Sequence, residues 1–176
     1  RWLAHGFYGQ TGAAPNAQAI QDALSVIGGK AVFEGQEHTV FTRLAGYDGK
    51  IYLDLSNSTW EVVEVTDIGW RVIANAPVKF RRQKGMLPLP APMAGGNIES
   101  LRSLVNVRDR VDWTLLLAWL VAALRPTGPY PILVLHGEQG SAKSTLARVL
   151  RAFIDPNIAP LRSEPKEPRD LMIAAT

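Results

Sequence analysis

The feature that most constrains the fold of this chain is a glycine-rich loop between an apolar run and an amphipathic segment. The apolar run, residues 131–136, reads Pro-Ile-Leu-Val-Leu-His, and residues 137–145 read Gly-Glu-Gln-Gly-Ser-Ala-Lys-Ser-Thr. Apolar residues then recur at helical spacing over residues 146–153. A short continuous apolar run is typical of a buried parallel strand. The order of strand, glycine loop, Lys-Ser and helix therefore predicts a phosphate-binding loop (P-loop).

Each position of this loop suits the binding of phosphate groups. Gly137 and Gly140 allow a tight turn in which several backbone N–H groups point inward at the start of a helix, where an anion is favoured. Lys143 would reach the β- and γ-phosphates of a nucleotide, and the Ser144 hydroxyl would ligate Mg²⁺. The predicted nucleotide-binding residues are Gly137, Glu138, Gln139, Gly140, Ser141, Ala142, Lys143, Ser144 and Thr145, with Lys143 as the catalytic residue and Ser144 as the metal ligand. The expected cofactors are ATP and Mg²⁺.

One position departs from the usual pattern, which has glycine immediately before the lysine. Here that position is Ala142. Alanine lacks the freedom of glycine at positive φ, so the loop must either take an ordinary backbone angle there or carry strain. We expect phosphate binding to survive, because alanine is the smallest alternative. A glycine-rich turn that binds no ligand is the other interpretation.

The residues before the loop predict a small β-rich module. A helix is expected over residues 15–26, ended by Gly28-Gly29, followed by strands with a turn about every ten residues. The Asp48-Gly49 pair favours a hairpin. The expected strands cover residues 50–55, 60–65, 70–73 and 78–82. The predicted fold is an α+β N-terminal module, a helix plus an antiparallel β-meander, followed by the beginning of an α/β P-loop NTPase core.

A proline- and glycine-rich segment predicts the boundary between these two parts. Residues 85–96 contain Pro88, Pro90 and Pro92 and end in two glycines, so we expect a connector with little regular structure. The expected domains are therefore residues 1–84, a linker over 85–96, and a helical lead-in with a truncated ATPase domain over 97–176. Asn97 should cap a short helix, and a longer, buried helix is expected from Asp109 to Leu124.

A cluster of basic residues at the last predicted strand has two interpretations. The cluster contains Lys79, Arg81, Arg82 and Lys84, with Phe80 among them and Trp60 and Trp70 on neighbouring strands. Basic and aromatic side chains together can hold single-stranded nucleic acid through phosphate contacts and base stacking. The interpretation that the pattern favours is a solvated basic edge, with both tryptophans in the core.

Composition excludes several classes of protein. The chain has 176 residues and no cysteine, so it cannot form a disulfide scaffold. The longest apolar run, residues 113–124, is too short to span a bilayer, and no signal peptide is visible, so we expect a cytoplasmic protein with no membrane partner. The net charge of +3 falls in residues 101–176 and is too small to indicate nucleic acid by itself.

The loop and its surroundings also resemble a known family. Residues 129–145, continued by residues 154–157 and 169–175, are similar to bacterial and phage primase–helicase ATPases, grouped near the superfamily 3 and AAA+ helicases. The Ile-Tyr-Leu-Asp-Leu strand of residues 51–55 and the Gly-Met-Leu-Pro-Leu-Pro connector of residues 85–90 also match that family. The resemblance implies an ATPase that remodels or unwinds DNA during replication of a phage or mobile element. It further implies single-stranded or forked DNA as a partner and a homo-oligomer of the full ATPase domain.

Such ATPases also need a second acidic strand, a polar sensor and an arginine finger. Only 32 residues follow Ser144, and none forms an apolar strand that ends in acids, so we interpret the chain as a fragment that binds nucleotide better than it turns nucleotide over. Two alternatives remain open. One is a small-molecule P-loop kinase, for which Arg162, Lys166 and Arg169 are the candidate lid residues. The other is a non-enzymatic DNA- or protein-binding module with a vestigial loop.

Overall fold

The computed structural model describes residues 2–107 and 109–161, and its contacts divide the chain into two units, Arg1–Thr39 and Val40–Thr176. The first unit contains two helices, α1 (Trp2–Thr11) and α2 (Ala17–Phe33). Asn16 caps α2, because its side chain accepts a hydrogen bond from the Ala19 amide at 2.7 Å. Neither helix contains a buried residue.

The predicted end of the first helix is wrong, and α1 was not predicted. Helix α2 continues through Gly28 and Gly29 and ends where the Glu34 amide donates to the Lys30 carbonyl at 2.9 Å. Glycine inside a helix costs about 1 kcal/mol relative to alanine, so it weakens a helix without ending it. Residues of higher helix propensity, such as Leu24 and Ala31, flank the glycine pair.

The second unit begins with a sheet whose core is a four-stranded antiparallel meander. The strands are β1 (Val40–Phe41), β2 (Leu44–Tyr47), β3 (Lys50–Asp54), β4 (Val62–Thr66), β5 (Gly69–Ile73) and β6 (Lys79–Phe80). The meander has the order β2-β3-β4-β5. The predicted hairpin is confirmed: Tyr47 pairs with Lys50, and both Asp48 and Gly49 have positive φ, as a type I′ turn requires.

The last predicted strand does not join the meander. Strand β6 pairs in parallel with β1, Val40 opposite Lys79 and Phe41 opposite Phe80. Burial explains this pairing, because Val78 enters the core cluster of Ala45, Tyr52 and Val62, and Phe41 and Phe80 pack against that cluster. The prediction of an antiparallel partner rested on turn spacing, which carries no information about which strand is nearest.

Two small cores lie on opposite faces of the meander. The alternation of side chains puts Tyr52 and Val62 on one face and Leu53 and Val63 on the other, where Val63 packs with Leu55 and Leu89. Leu89 belongs to the predicted linker, and its amide donates to the Leu55 carbonyl at 2.8 Å. The domain boundary at residues 85–96 stays a prediction.

Three helical segments follow: a 3₁₀ helix (Ile98–Leu104), α3 (Arg110–Ala123) and α4 (Lys143–Ile154). The predicted Asn97 cap is confirmed, since its side chain accepts from the Glu99 amide. Asp109, the predicted start of the longer helix, caps α3 by accepting from the Val111 amide. A third core joins the three segments through Leu101, Trp113, Leu116, Leu120, Leu146 and Leu150. Helix α3 was predicted to be buried, but only one face is, because Leu115 and Val121 are exposed.

The strand predicted over residues 131–136 is absent from the described structure. Leu133 and Leu135 pack against the helical core, whereas Ile132 and Val134 are exposed. A parallel strand needs hydrogen-bonded neighbours, and residues 2–107 and 109–161 place none beside this segment. No helix within those ranges is long and apolar enough to cross a membrane.

Candidate phosphate-binding loop and basic surface

The glycine loop takes backbone angles that favour glycine at both of its predicted glycine positions. Gly137 has a φ of 149° and Gly140 a φ of 86°. A Cβ at position 137 would also lie 2.7 Å from the Ser141 hydroxyl, which would have to move to make room for it. The Ser141 amide closes a turn by donating to the Glu138 carbonyl at 3.2 Å. The loop is therefore a tight turn whose backbone angles at these two positions glycine adopts more readily than other residue types.

Ala142 adopts the strained alternative that the sequence left open. Its φ is 63° and its ψ is 23°, in the left-handed region, which costs an alanine roughly 1 kcal/mol. It stands at the cap position of α4 and supplies no side-chain hydrogen bond to the helix. The first amide groups of this twelve-residue helix therefore lack a side-chain cap, and these groups and the helix dipole attract an anion.

The Lys143 ammonium group lies over the loop. Its Nζ atom donates to the Gly137 and Glu138 carbonyls, at 2.7 Å each, and approaches the Ser141 hydroxyl at 3.2 Å. Among the predicted residues, the structure thus brings Gly137, Glu138, Ser141 and Lys143 together. Ser144 and Thr145 lie in the first turn of α4, and both are exposed.

A cavity of about 370 Å³ adjoins the loop. Leucines of α3, α4 and residues 133–135 line its apolar part. Its polar lining includes Asn106, Asp112, His136, Ser141 and Lys143. The sequence analysis assigned neither Asn106 nor Asp112 to the loop, because neither residue belongs to a motif. Only the fold brings these two side chains to the loop.

The C-terminal end of α4 is fixed to the sheet by an arginine that belongs to no sequence motif. Arg43 is buried, and its Nε and Nη2 atoms donate to Oδ1 of Asp155 at 3.0 and 2.9 Å. Asp155 also accepts from Nη2 of Arg151 at 3.0 Å. Nη2 of Arg43 donates in addition to the Leu87 carbonyl at 3.1 Å. The helix that carries Lys143 is thus anchored at its C-terminal end by a charged network.

Backbone hydrogen bonds strengthen this anchor. The Leu87 amide donates to the Pro156 carbonyl at 2.9 Å, and the Ile158 amide donates to the Gly85 carbonyl at 3.0 Å. Met86 and Asn157 form an isolated antiparallel bridge. Part of the predicted linker is therefore bound to the segment that follows α4.

The structure corrects part of the solvated-edge interpretation of the basic cluster, and nucleic-acid binding by its members stays a prediction. Arg82 is not a free cation, because its Nε and Nη2 atoms donate to the two carboxylate oxygens of Asp54 at 2.9 and 2.7 Å. Trp60 and Trp70 are 55% and 46% exposed, so the expectation that they lie in the core is wrong. The other three members of the cluster, Lys79, Arg81 and Lys84, are exposed.

The electrostatics of Asp54 follow from its surroundings. Its side chain is fully buried, and burial alone would raise its pKa. Hydrogen bonds from Arg82 and from the Ser56 amide and hydroxyl outweigh this effect, so the pKa of Asp54 lies below its ordinary value. Asp54 is therefore ionised at neutral pH and holds Arg82 in a fixed position.

A second buried carboxylate lies within the meander. Glu64 accepts from Nε of Arg71 at 2.7 Å, from Nζ of Lys50 at 3.4 Å and from the Tyr52 hydroxyl at 3.1 Å. The Arg71 hydrogen bond is the main cause of the lowered pKa of Glu64. Burial, and then the bond to Glu64, raise the pKa of Tyr52. All three of these partners lie on strands of the meander, so we assign Glu64 a structural role.

Other predicted features lie outside the described residues or have no counterpart within them. The candidate lid residues Arg162, Lys166 and Arg169 and the family-like segment 169–175 fall beyond residue 161. Within residues 2–107 and 109–161, no group of three or more His, Asp or Glu side chains could hold a metal ion. Ser144 remains the predicted ligand for Mg²⁺.

Comparison with protein families matches the C-terminal part of the chain, which contains the loop. Residues 98–176 match the family model of the actinomycete integrative conjugative element replication protein. This segment is therefore similar to a replication protein of a mobile element, which confirms the coarser part of the functional prediction. The finer expectation of a primase–helicase ATPase stays a prediction. No curated protein and no solved structure is similar to the chain.

Proposed function

We propose that residues 137–145 bind the phosphates of ATP together with Mg²⁺, and that the chain is the nucleotide-binding part of a mobile-element replication ATPase that remodels or unwinds DNA. The observation that carries this proposal is the Lys143 ammonium group, held over a strained glycine loop at the uncapped start of α4. The similarity of residues 98–176 to a mobile-element replication protein supports the biological setting.

The backbone of the loop suits an anion. Positive φ angles at Gly137, Gly140 and Ala142 turn the chain sharply just before α4 begins. Turns that contain left-handed residues can form a concave backbone surface whose amide groups point inward. The amide groups of the first turn of α4 extend this surface and add the positive end of the helix dipole. A phosphate group is the anion whose several oxygens match several converging donors.

The side chains of the loop supply the charge that the backbone lacks. Lys143 adds one full positive charge, and its three donors can turn from the Gly137 and Glu138 carbonyls to phosphate oxygens without movement of the helix. Ser144 follows at the first turn and offers a hydroxyl oxygen, a ligand type that Mg²⁺ accepts beside water and phosphate. When bound, Mg²⁺ would neutralise part of the charge of the phosphates.

Calorimetric titration of ATP·Mg²⁺ into the chain and into Lys143→Ala tests the proposal. Loss of a charge-assisted contact of about 1.5–3 kcal/mol should weaken binding by roughly 10- to 150-fold. Arg148→Ala is the matched control, because Arg148 is an exposed cation of the same helix and should leave the affinity unchanged. Circular dichroism checks that each variant is folded.

The outcomes also separate the alternatives. Equal binding by the wild type and Lys143→Ala would mean that the loop does not hold phosphate. No ATP binding by the folded wild type, with DNA binding retained, would favour the vestigial loop of a binding module. Turnover that requires a small acceptor molecule would favour a kinase, whereas turnover that rises with DNA in a longer chain would favour the replication ATPase.

A further inference from the structure

An exposed tryptophan holds a backbone conformation that bulky residues avoid. Trp60, between β3 and β4, has a φ of 59°, in the left-handed region, and 55% of its surface is exposed. Large side chains are rare at such angles, and strained residues persist only where their surroundings fix them. An exposed indole gains little from burial here, so the fold alone gives no reason for this residue at this position.

Side-chain hydrogen bonds fix the loop that carries Trp60 at the surface. The Glu61 amide donates to the Asn57 side-chain oxygen at 3.0 Å, and the Asn57 amide group donates back to the Glu61 carboxylate at 2.6 Å. The Thr59 hydroxyl donates to the same carboxylate at 2.9 Å. These bonds join the residues on both sides of Trp60 and fix the direction of its backbone.

One face of the indole is supported by a fixed cation. The guanidinium carbon of Arg82 lies 3.7 Å from the centre of the Trp60 ring system, in cation–π geometry. Arg82 cannot swing away, because both of its bonds to the buried Asp54 carboxylate would break. The ring is therefore a preorganised flat surface, and a ligand that stacks on it has little side-chain entropy to remove.

The segment that supplies Arg82 is strongly one-sided in charge. Residues 68–98 contain Arg71, Lys79, Arg81, Arg82 and Lys84 and no acidic residue. Arg81 and Lys84 are exposed close to Arg82 in the chain, and neither forms an ion pair within the described part of the molecule. An exposed aromatic ring that contacts Arg82 of this basic segment, with two exposed cations close by in the chain, offers the two components that single-stranded nucleic acid needs, a stacking partner and phosphate contacts.

We propose that Trp60, supported by Arg82, stacks against an unpaired base of single-stranded DNA while Arg81 and Lys84 contact the neighbouring phosphates. The roles differ from those expected of a simple basic cluster, since Arg82 positions the indole and does not bind phosphate. DNA is favoured among polyanions because an acidic peptide would use the cations and gain nothing from the exposed indole. The site is independent of the glycine loop, so it stands whether or not residues 137–145 bind ATP.

Fluorescence anisotropy of a labelled oligodeoxythymidylate at low salt, titrated with the full chain, measures this contact. The same titration with an abasic oligomer of equal length and charge isolates the contribution of the bases. Trp60→Ala and Trp60→Gly remove the indole. The glycine variant also removes the backbone strain, so it keeps the test valid if the alanine variant does not fold. Trp60→Phe keeps an aromatic ring, and Trp70→Ala removes a similarly exposed indole elsewhere on the sheet.

We expect the wild type to bind the thymidylate more tightly than the abasic oligomer. Trp60→Ala and Trp60→Gly should weaken thymidylate binding by about 5- to 100-fold and abolish the preference. Trp60→Phe should retain most of the affinity, and Trp70→Ala should retain all of it. Equal binding of the two oligomers by the wild type, or unchanged binding by Trp60→Gly, would overturn the proposal. Competition by polyglutamate as strong as that of thymidylate would assign the surface to an acidic protein instead.

Discussion

Replacement of Asp54 by Asn removes the charge that holds Arg82 while it leaves the size of the side chain almost unchanged. In the native sheet the Asp54 carboxylate is fully buried and accepts four hydrogen bonds, two from Arg82 and two from Ser56. An Asn side chain can still accept from the Ser56 amide through its oxygen. Its NH₂ group, however, would face the Arg82 guanidinium, so at least one bond is lost and a buried cation has no counter-charge.

The size of the effect follows from these contacts. Hydrogen bonds to charged groups contribute about 1.5–3 kcal/mol each, and removal of one partner of a buried ion pair costs about 3–5 kcal/mol. The Arg82 side chain is 18% exposed, so water can solvate part of it in the variant. We therefore expect the lower end, a loss of about 3 kcal/mol in the free energy of unfolding. With a urea dependence of about 2 kcal/mol per molar, the midpoint should fall by about 1.5 M.

Urea titration followed by far-ultraviolet circular dichroism at pH 7 measures this loss. Asp67→Asn is the matched control, because Asp67 lies exposed in the β4–β5 turn, and the same chemical change there should cost less than about 0.5 kcal/mol. A midpoint for Asp54→Asn that coincides with that of Asp67→Asn would refute the reasoning, since the buried pair would then contribute nothing. The variant should also weaken thymidylate binding, because Trp60 loses its support.

Three further outcomes are expected. The pKa values of Asp54 and Glu64 are lowered in the folded protein, so the stability that these groups contribute is complete above their unfolded pKa values of about 4. That stability is lost as the pH falls through their folded pKa values. Thermal melts should therefore show a melting temperature that falls steeply below about pH 4, and the fall should be smaller in Asp54→Asn. Arg43→Met should lower the free energy of unfolding in urea by about 3 kcal/mol, because the Leu87 carbonyl loses a donor and Asp155 loses a charge partner. Ala142→Gly should relieve the left-handed strain at some cost in chain entropy, so calorimetry should find its ATP affinity within about threefold of the wild type and its melting temperature unchanged or slightly higher.

The features that the sequence predicted correctly are local ones. The Asp48-Gly49 turn, the Asn97 cap, the start of α3 at Asp109 and the start of α4 after the glycine loop each depend on residues within a few positions of one another. Backbone preference and short-range hydrogen bonds decide such features, so a single sequence carries enough information to locate them. The positive φ at Ala142 was one of two alternatives that the same local reasoning left open.

The features that escaped prediction depend on residues far apart in the chain. Arg43 and Asp155 are separated by 112 residues, and Arg82 and Asp54 by 28, so no periodicity or motif links them. The parallel pairing of β1 with β6 was likewise decided by which side chains fill a shared core. The two glycines of α2 were wrongly expected to end the helix. Each glycine costs about 1 kcal/mol relative to alanine, and the other residues of this seventeen-residue helix outweigh that cost.

The way α4 is held bears on how a phosphate ligand would bind. Leu146 and Leu150 are buried in the helical core, and the Arg43–Asp155 pair fixes the end of the helix, so α4 does not have to be ordered by the ligand. The strain at Ala142 is likewise already present without a ligand. Binding then requires only that the Lys143 ammonium exchange the Gly137 and Glu138 carbonyls for phosphate oxygens, a change in one side chain. A site whose backbone is set in advance loses little entropy on binding. For this reason Arg43→Met should weaken ATP binding, although Arg43 lies at the opposite end of the helix from the loop. If the ligand itself ordered the loop, the variant would bind ATP as tightly as the wild type.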